Sequence, residues 1–513
     1  MTKINKLTSV AVAVLTLTAT AMAHAGETIE LGDDLKLDWR VTTTYTAAQR
    51  MKDADPLLAA NAAANDGDNN FAKGSMTANR VSALIEGKLT KGDSGLVISG
   101  STFYDSVYRR TNDNPMKPFS VSKPAPFNEF TSEAQHDHGG YSRILDAYGY
   151  TSFDVGSSSR ATVRLGRHVV NWGEAVYFPN IAMSQGPFDG TKAGVPGTET
   201  KDSVLPEDQI SGSIEISPRW TVMAQAQFGF HPTFAAAPGS FMNTSDGVGA
   251  GGTCLGVYAG PTCFGMLRGP DITPGDTGQW GIGTRYRLTE VTEAGLYYLN
   301  ARDRMPLPVI KPVSASSGSY NIKYFEDVKV IGATVSTVLG SVAAYSELTY
   351  RQGAPVLVGA LATPTPADVA QLNFGGFANI GRMPIADSVQ LLGEVSMVKY
   401  SNYGVPMSGL NFKTDSGVAI SGTLVLGYPG FVEGWDLTVP INYSKQVNGR
   451  TLIGSVGGEG DGRFSLGAVF TYKGNLAISL TYLGYLGSAS TDATANRLVT
   501  DRDQVSLVAK YAF

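Results

Sequence analysis

Along most of this chain, apolar and polar side chains alternate every second residue. Near the start, Leu35, Leu37, Trp39, Val41, Thr43 and Tyr45 alternate with Lys36, Asp38, Arg40, Thr42 and Thr44. A period of two marks a strand with two different faces, here one suited to lipid and one to a wet interior. Residues 76–91 repeat it, with Val81, Ala83, Ile85 and Leu89 opposing Arg80, Ser82, Glu86 and Lys88, and 95–110 follow after a short Lys91-Gly92-Asp93-Ser94 turn. The same rhythm predicts strand pairs at 143–154 and 159–168, 206–217 and 219–230, 278–289 and 293–303, 320–337 and 341–352. Further pairs fall at 371–382 and 386–401, 412–427 and 432–446, and 461–472 and 475–486, with a last strand at 499–513. Turns inside each pair are short, as at Ser217-Pro218-Arg219, Leu339-Gly340, Tyr428-Pro429-Gly430 and Lys473-Gly474-Asn475. Connections between pairs are longer. Short turns at one end and long loops at the other predict an all-β fold: a single transmembrane antiparallel β-barrel of about eighteen strands (range 14–18).

Composition narrows the choice. Only 17% of residues are charged, against about a quarter in soluble proteins. No run after residue 25 reaches the roughly 18 apolar residues of a membrane helix. Low charge without apolar runs suits a barrel, whose lipid face takes only alternate residues. A soluble sandwich would explain the alternation but not the rhythm of loops, and no fixed-period repeat supports a propeller. Pro440 interrupts an otherwise clean strand, where a closed barrel has no edge to receive it, so a bulge is expected there.

Residues 1–25 read as an export signal: Lys3 and Lys6, an apolar stretch from Val10 to Leu17, and Ala23-His24-Ala25 before Gly26. Without that segment the formal charge of −5 becomes more negative, which disfavours a nucleic-acid partner. At the other end Phe513, Tyr511, Ala509, Leu507 and Val505 share one face. The Tyr511 and Phe513 pair resembles the closing strand that barrel-assembly machinery reads, and paired aromatics suit a membrane–water boundary. Cys254 and Cys263 are the only cysteines. In an exported chain they form a disulfide or stand as two free thiols.

Residues 169–205 break the rhythm. Trp172, Tyr177, Phe178, Ile181, Met183 and Phe188 are too many large apolar groups for a solvated loop. The segment either folds into the lumen as a plug or constriction, or packs on the rim. Its pore-facing set would be Asn171, Trp172, Glu174, Tyr177, Phe178 and Asp189, with Arg164 and His168 from the preceding strand. Arg160, Thr162, Arg164 and His168 share a face opposite Ala161, Val163 and Leu165. Such charges tune what passes, or merely neutralise Asp38, Glu86 and Glu174. His136-Asp137-His138 lacks a third ligand for a metal. No nucleophile elbow, phosphate loop or dinucleotide fingerprint is present, so no catalytic residue, metal or cofactor is assigned.

The run Gly166-Arg167-His168-Val169-Val170-Asn171-Trp172-Gly173-Glu174 resembles the signature of a bacterial outer-membrane barrel family catalogued as a domain of unknown function. Gly278-Gln279-Trp280-Gly281, Gly295-Leu296-Tyr297-Tyr298-Leu299-Asn300, Tyr324-Phe325-Glu326-Asp327 and Glu347-Leu348-Thr349-Tyr350-Arg351 match it too. The chain departs at Ala175 (usually Ser), at Gly186-Pro187-Phe188-Asp189 (usually Asn-Pro-x-Asp) and at Arg302-Asp303-Arg304 (usually His-Ser-Arg). The resemblance implies association with the breakdown of steroids and other hydrophobic compounds, and an inner-membrane lipid transporter as neighbour. The resulting expectation is an outer-membrane channel for passive passage of a small hydrophobic or amphipathic solute, with membrane lipids and the assembly machinery as partners. An outer-membrane enzyme acting on lipids, or a structural partner of a lipid transport system, is the alternative.

Overall fold

A computed structural model describes residues 26, 28–115, 123, 126–314, 317–454 and 457–513. The export signal at 1–25 lies outside the described residues. The strands, in chain order, are β1 (Ile29–Gly32), β2 (Leu35–Arg50), β3 (Met76–Lys91), β4 (Ser94–Asp105), β5 (Ser142–Val155), β6 (Ser159–His168), β7 (Glu207–Ser217), β8 (Trp220–Gln227), β9 (Cys254–Ala259), β10 (Thr262–Arg268), β11 (Trp280–Arg287), β12 (Thr292–Ser314), β13 (Ser317–Leu339), β14 (Val342–Val358), β15 (Thr363–Met383), β16 (Ala386–Ser401), β17 (Ser416–Val432), β18 (Trp435–Asn448), β19 (Gly462–Tyr472), β20 (Leu476–Leu486) and β21 (Gln504–Ala512).

Each strand pairs antiparallel with the next around a ring, with β8 passing directly to β11. The last strand, β21, returns to β2, from Thr42 opposite Ala512 to Arg50 opposite Gln504. Leaving out β1 and the β9–β10 hairpin, the ring is a closed antiparallel barrel of 18 strands, the number that the alternation predicts. Closure leaves the ring no free edge, as a bilayer core demands.

The two faces divide as the alternation requires. Ile85, Leu96, Leu165, Leu296, Leu348 and Leu480 are exposed on the outside. Thr42, Thr44, Thr46, Gln209, Glu347 and Gln371 are buried on the inside. Exposed Tyr45, Tyr104 and Trp280 lie toward the long loops, and exposed Trp220, Tyr286 and Tyr511 toward the short turns. Two aromatic rims enclosing an apolar belt is the outer surface of a membrane barrel. Tyr511 packs edge-on against Phe513, whose amide donates to the Val41 carbonyl. Among the described residues no helix is long and apolar enough to cross a membrane.

Three local expectations need correction. Pro440 makes no bulge: it stays in register opposite Val425. On its other side the β18–β19 ladder lapses between Thr438–Val469 and Ile441–Leu466 without a shift. Gly467 lies there, where an added Cβ would come 3.2 Å from the proline ring, so the ring is accommodated by the absence of a side chain. The β17–β18 turn falls at 433–434, beyond Tyr428-Pro429-Gly430. Finally, β12, β14 and β15 run well past their predicted ends on the long-loop side, and β13 by three residues. Prolines 306, 308, 312, 355, 364 and 366 hid these extensions, yet strand edges tolerate proline. Past Asn300, β12 has lost β11 and pairs only with β13. Past Lys329 and Gln352, β13 and β14 part, with Asp327 and Gly353 in left-handed conformations at the fork.

The glycine-rich stretch holds a second surprise: β9 and β10 form a hairpin, and β10 pairs in parallel with the extension of β13. Cys254 and Cys263 are bridged across it. Closing so short a loop stabilises by about 2–3 kcal/mol at most. Reduction is therefore expected to release two maleimide-reactive thiols and loosen the hairpin while leaving the barrel's resistance to detergent unchanged.

Candidate functional site: a segment across the lumen

The connection from β6 to β7 enters the barrel. One end is fixed to the wall formed by β11 to β17. The Glu347 carboxylate, inward on β14, accepts the amides of Glu174 (2.6 Å), Ala175 (2.9 Å) and Ile181 (2.6 Å). The Glu394 carboxylate, inward on β16, accepts those of Val176 (2.7 Å), Tyr177 (2.8 Å) and Phe178 (3.3 Å). Tyr345 and Asn373 complete the second carboxylate. Two buried acids thereby satisfy a run of backbone donors that no helix or sheet serves, using charge-assisted bonds. Gly173 is required by the same contact, since a Cβ there would meet Glu347 Oε2 at 2.7 Å.

Apolar side chains seat themselves beside these anchors. Trp172, Phe178 and Ile181 are buried. Trp172 stacks on Tyr297 and lies over Gly281, and Ile181 lies over Gly332; a Cβ at either glycine would clash with them. Asn180 binds the wall through Thr349 (2.5 Å) and the Arg351 guanidinium (2.9 Å). Tyr177 bonds the Thr423 hydroxyl.

The other end is fixed to the opposite wall. Asp189 accepts from Arg143 (2.7 Å) and Tyr141 (3.1 Å). Lys201 pairs with Glu86 (2.8 Å) and Asp146 (2.7 Å), and Glu199 with Lys510 (2.6 Å). Residues 169–205 therefore cross the lumen from β14–β16 to β2–β5 and β21.

Space remains on both sides of the crossing. Toward the short turns a cavity of about 550 Å³ is lined by Arg40, Lys88, Tyr148, Arg164 and Lys201 among others. Toward the long loops a chamber of about 250 Å³ lies between the segment and β12–β15. That second chamber adjoins a continuous apolar core, which runs from Trp172 and Ile181 through Val330, Val356 and Val369 to Ile453.

Lys192 sits inside the crossing, 4% exposed, its ammonium 3.7 Å from the Phe103 ring centre and 4.7 Å from that of Tyr141. Burial, then Arg80, pushes its pKa down from 10.5 to about 7. Burial opposes ionisation of Asp189, but Lys192 and Arg143 outweigh it and hold that carboxyl below its ordinary range. A lysine whose folded pKa is depressed binds fewer protons folded than unfolded between about 7 and 10.5. Docking of the segment should therefore strengthen as pH rises through that window, by up to about 1.4 kcal/mol per pH unit. Protease protection of 169–205 measured from pH 7 to 10 should increase, and Lys192→Met should flatten the slope.

The pore-facing set from the sequence divides into groups. Trp172, Glu174, Tyr177 and Phe178 gather at the Glu347–Glu394 wall. Burial pushes the Glu174 carboxyl up, against the pull of Arg285 at 3.8 Å. Asn171 is exposed next to them. Asp189 lies at the far end, 4% exposed and committed to Arg143. Arg164 lines the larger cavity over the Tyr148 ring. His168 is 1% exposed in the wall; its Nδ1 bonds the Gly166 carbonyl and its Nε2 the Ser211 hydroxyl at 2.6 Å. This Ser–His contact, absent from the sequence reading, has a carbonyl where a catalytic carboxylate would stand. His136 stacks on Tyr141, whereas buried His138 accepts the Ala237 amide, so the two imidazoles face different surroundings. Among the described residues no three His, Cys, Asp or Glu side chains gather as metal ligands.

Sequence reasoning missed Glu347, Glu394, Gln371 and Arg351. One signal was available: Glu347, Thr349 and Arg351 alternate with Leu348 and Tyr350, placing an acid and a base on the inner face of one strand.

Remote likenesses to solved structures span most of the chain. Acinetobacter baumannii OccAB4 is 10% identical with a TM-score of 0.45, covering 93% of this chain and 98% of that one. Pseudomonas aeruginosa OpdK, solved with vanillate, is 13% identical with a TM-score of 0.42, covering 94% and 98%. Salmonella typhi OmpF, in complex with daunomycin, is 9% identical with a TM-score of 0.38, covering 95% and 100%. Likenesses this distant assign neither mechanism nor ligand. No curated protein matches the chain. One family model does, over residues 6–513, and by it the chain belongs to the family described as Protein of unknown function (DUF1302).

Proposed function

We propose that the protein is an outer-membrane channel through which a small hydrophobic or amphipathic compound passes without energy input, and that residues 169–205 form its constriction. The observation that carries this reading is the apolar core continuous from Trp172 and Ile181 to Ile453, with a 250 Å³ chamber opening beside it. A water-filled pore would have polar walls at its narrowest point; here the polar groups of the crossing are taken up in anchoring it to Glu347, Glu394 and Arg143, and Trp172, Phe178 and Ile181 pack as apolar surface beside them. Polar solutes would lose hydration there without replacement, while apolar ones gain about 25 cal/mol per Å² of apolar surface removed from water. Asn171 and Glu174 supply the few polar contacts that orient a ligand in such a path. Membrane lipids and the barrel-assembly machinery, reading Tyr511 and Phe513, are the partners this location requires. An inner-membrane lipid transporter would receive the solute.

In liposomes containing the purified protein, an aromatic alcohol should enter faster, relative to protein-free vesicles, than a sugar of similar size. Equal protein-dependent rates for the two would count against a hydrophobic path.

A further inference from the structure

We infer that the chamber between the crossing segment and β12–β15 is a binding site for a small amphipathic anion, with Arg351 as the partner of its carboxylate. This rests on the channel reading and adds the charge of the solute to it.

Apolar groups from both sides line the chamber: Met183 and Phe188 from the segment, Val328, Val369, Tyr400 and Ile453 from the wall and a loop. Four charged residues line it as well: Arg302, Asp303, Arg304 and Arg351. Arg304 is already matched, with its guanidinium 2.7 Å from the Glu207 carboxylate. Arg351 is not. It is 3% exposed. Its Nη1 donates to Gln371 Oε1 (3.1 Å) and its Nη2 to the carbonyl (2.7 Å) and side-chain oxygen (2.9 Å) of Asn180, all neutral acceptors. Its Nε has no partner, nor has Nη1 of Arg302. Among the described residues no carboxylate lies within 4.0 Å of Arg302 or Arg351.

Two acids must be set against this. Asp303 lines the same chamber, where its Oδ1 accepts the Met305 amide at 2.9 Å. Glu347 shares the inner face of β14, but its carboxylate is taken by the Glu174, Ala175 and Ile181 amides. With Arg304 and Glu207 paired, Arg302 and Arg351 line the chamber beside Asp303, and the charges of Asp303 and Glu347 act on Arg351 across a gap and not through a contact. A buried cation that no carboxylate contacts is costly, and an arriving carboxylate relieves that cost with strong, paired hydrogen bonds. The space equals that of about eight waters, enough for a body of on the order of ten heavy atoms held by the apolar lining.

Calorimetric titration of the full-length protein in detergent with 4-phenylbutyrate, 4-phenylbutanol and 4-phenylbutylamine tests this, since the three share a body and differ in head. The carboxylate should bind tightest, about tenfold over the alcohol. Arg351→Gln should weaken the acid far more than the alcohol and so remove that advantage, and Arg351→Lys should restore part of it. Because Arg351 also holds Asn180, simple loosening of the segment would weaken acid and alcohol together, and that result would overturn the assignment. So would an amine that binds as tightly as the acid. If the alcohol binds and crosses while the acid gains nothing, the anion site falls and the hydrophobic channel stands. If none of the three binds and none crosses, both fall.

Discussion

Glu347→Ala combined with Glu394→Ala should release the crossing segment and raise ionic conductance several-fold, with the barrel still closed. Each carboxylate accepts three segment amides. Hydrogen bonds to a charged group contribute about 1.5–3 kcal/mol each, and truncating the charged partner leaves the amides buried and unmatched. Removing one buried charged partner typically costs ~3–5 kcal/mol, so the pair together exceeds what a loop's docking can absorb. The wall does not depend on either carboxylate, because its ladders run through backbone groups on both sides of Glu347 and Glu394. Unboiled and boiled samples should still migrate differently in detergent gels, while protease now cuts within 169–205. The single Glu→Gln variants keep an acceptor oxygen and lose the charge, so their effects should be intermediate. Unaltered conductance and an unaltered protease pattern in the double variant would mean that these acids do not hold the segment.

How much of this could be read in the sequence depends on what each residue contacts. The barrel was legible because lipid on one side and a filled lumen on the other impose period two on the strands: Leu165 and Leu348 outward, Glu347 and Gln371 inward. The ends of β12 to β15 were not, because beyond the belt one strand edge is free and proline is allowed there. The β9–β10 hairpin was hidden by its glycines and by a parallel partner some fifty residues further on. That the segment is buried was legible as an excess of Trp, Tyr, Phe and Ile; whether it lay in the lumen or on the rim was not. Its anchors were not. An inward acid on a strand looks the same whether it faces water or a run of amides, and Glu347 lies 173 residues from Glu174 in the chain. Asp189 belongs to the same segment as Trp172, yet the crossing carries it to the far wall, where Arg143 holds it, a separation that nearness in sequence does not reveal.

The largest expected effect comes from removing the segment's apolar half. Residues 169–189 bring Trp172, Phe178 and Ile181, all buried, into the lumen. Each such side chain gains roughly 1.5–3 kcal/mol by staying out of water, which makes the crossing their stable place. A Gly-Ser loop of the same ends has no such drive and would leave the lumen to water. The path would then lose both its narrowness and its apolar lining, and Trp172→Ala should reproduce part of the change by vacating the seat over Gly281. The most direct measurement is conductance and solute uptake in reconstituted membranes, wild type against the 169–189 replacement. A several-fold rise in ionic conductance and loss of the preference for hydrophobic solutes over sugars are expected. Unchanged conductance with an unchanged solute ranking would contradict the proposed constriction.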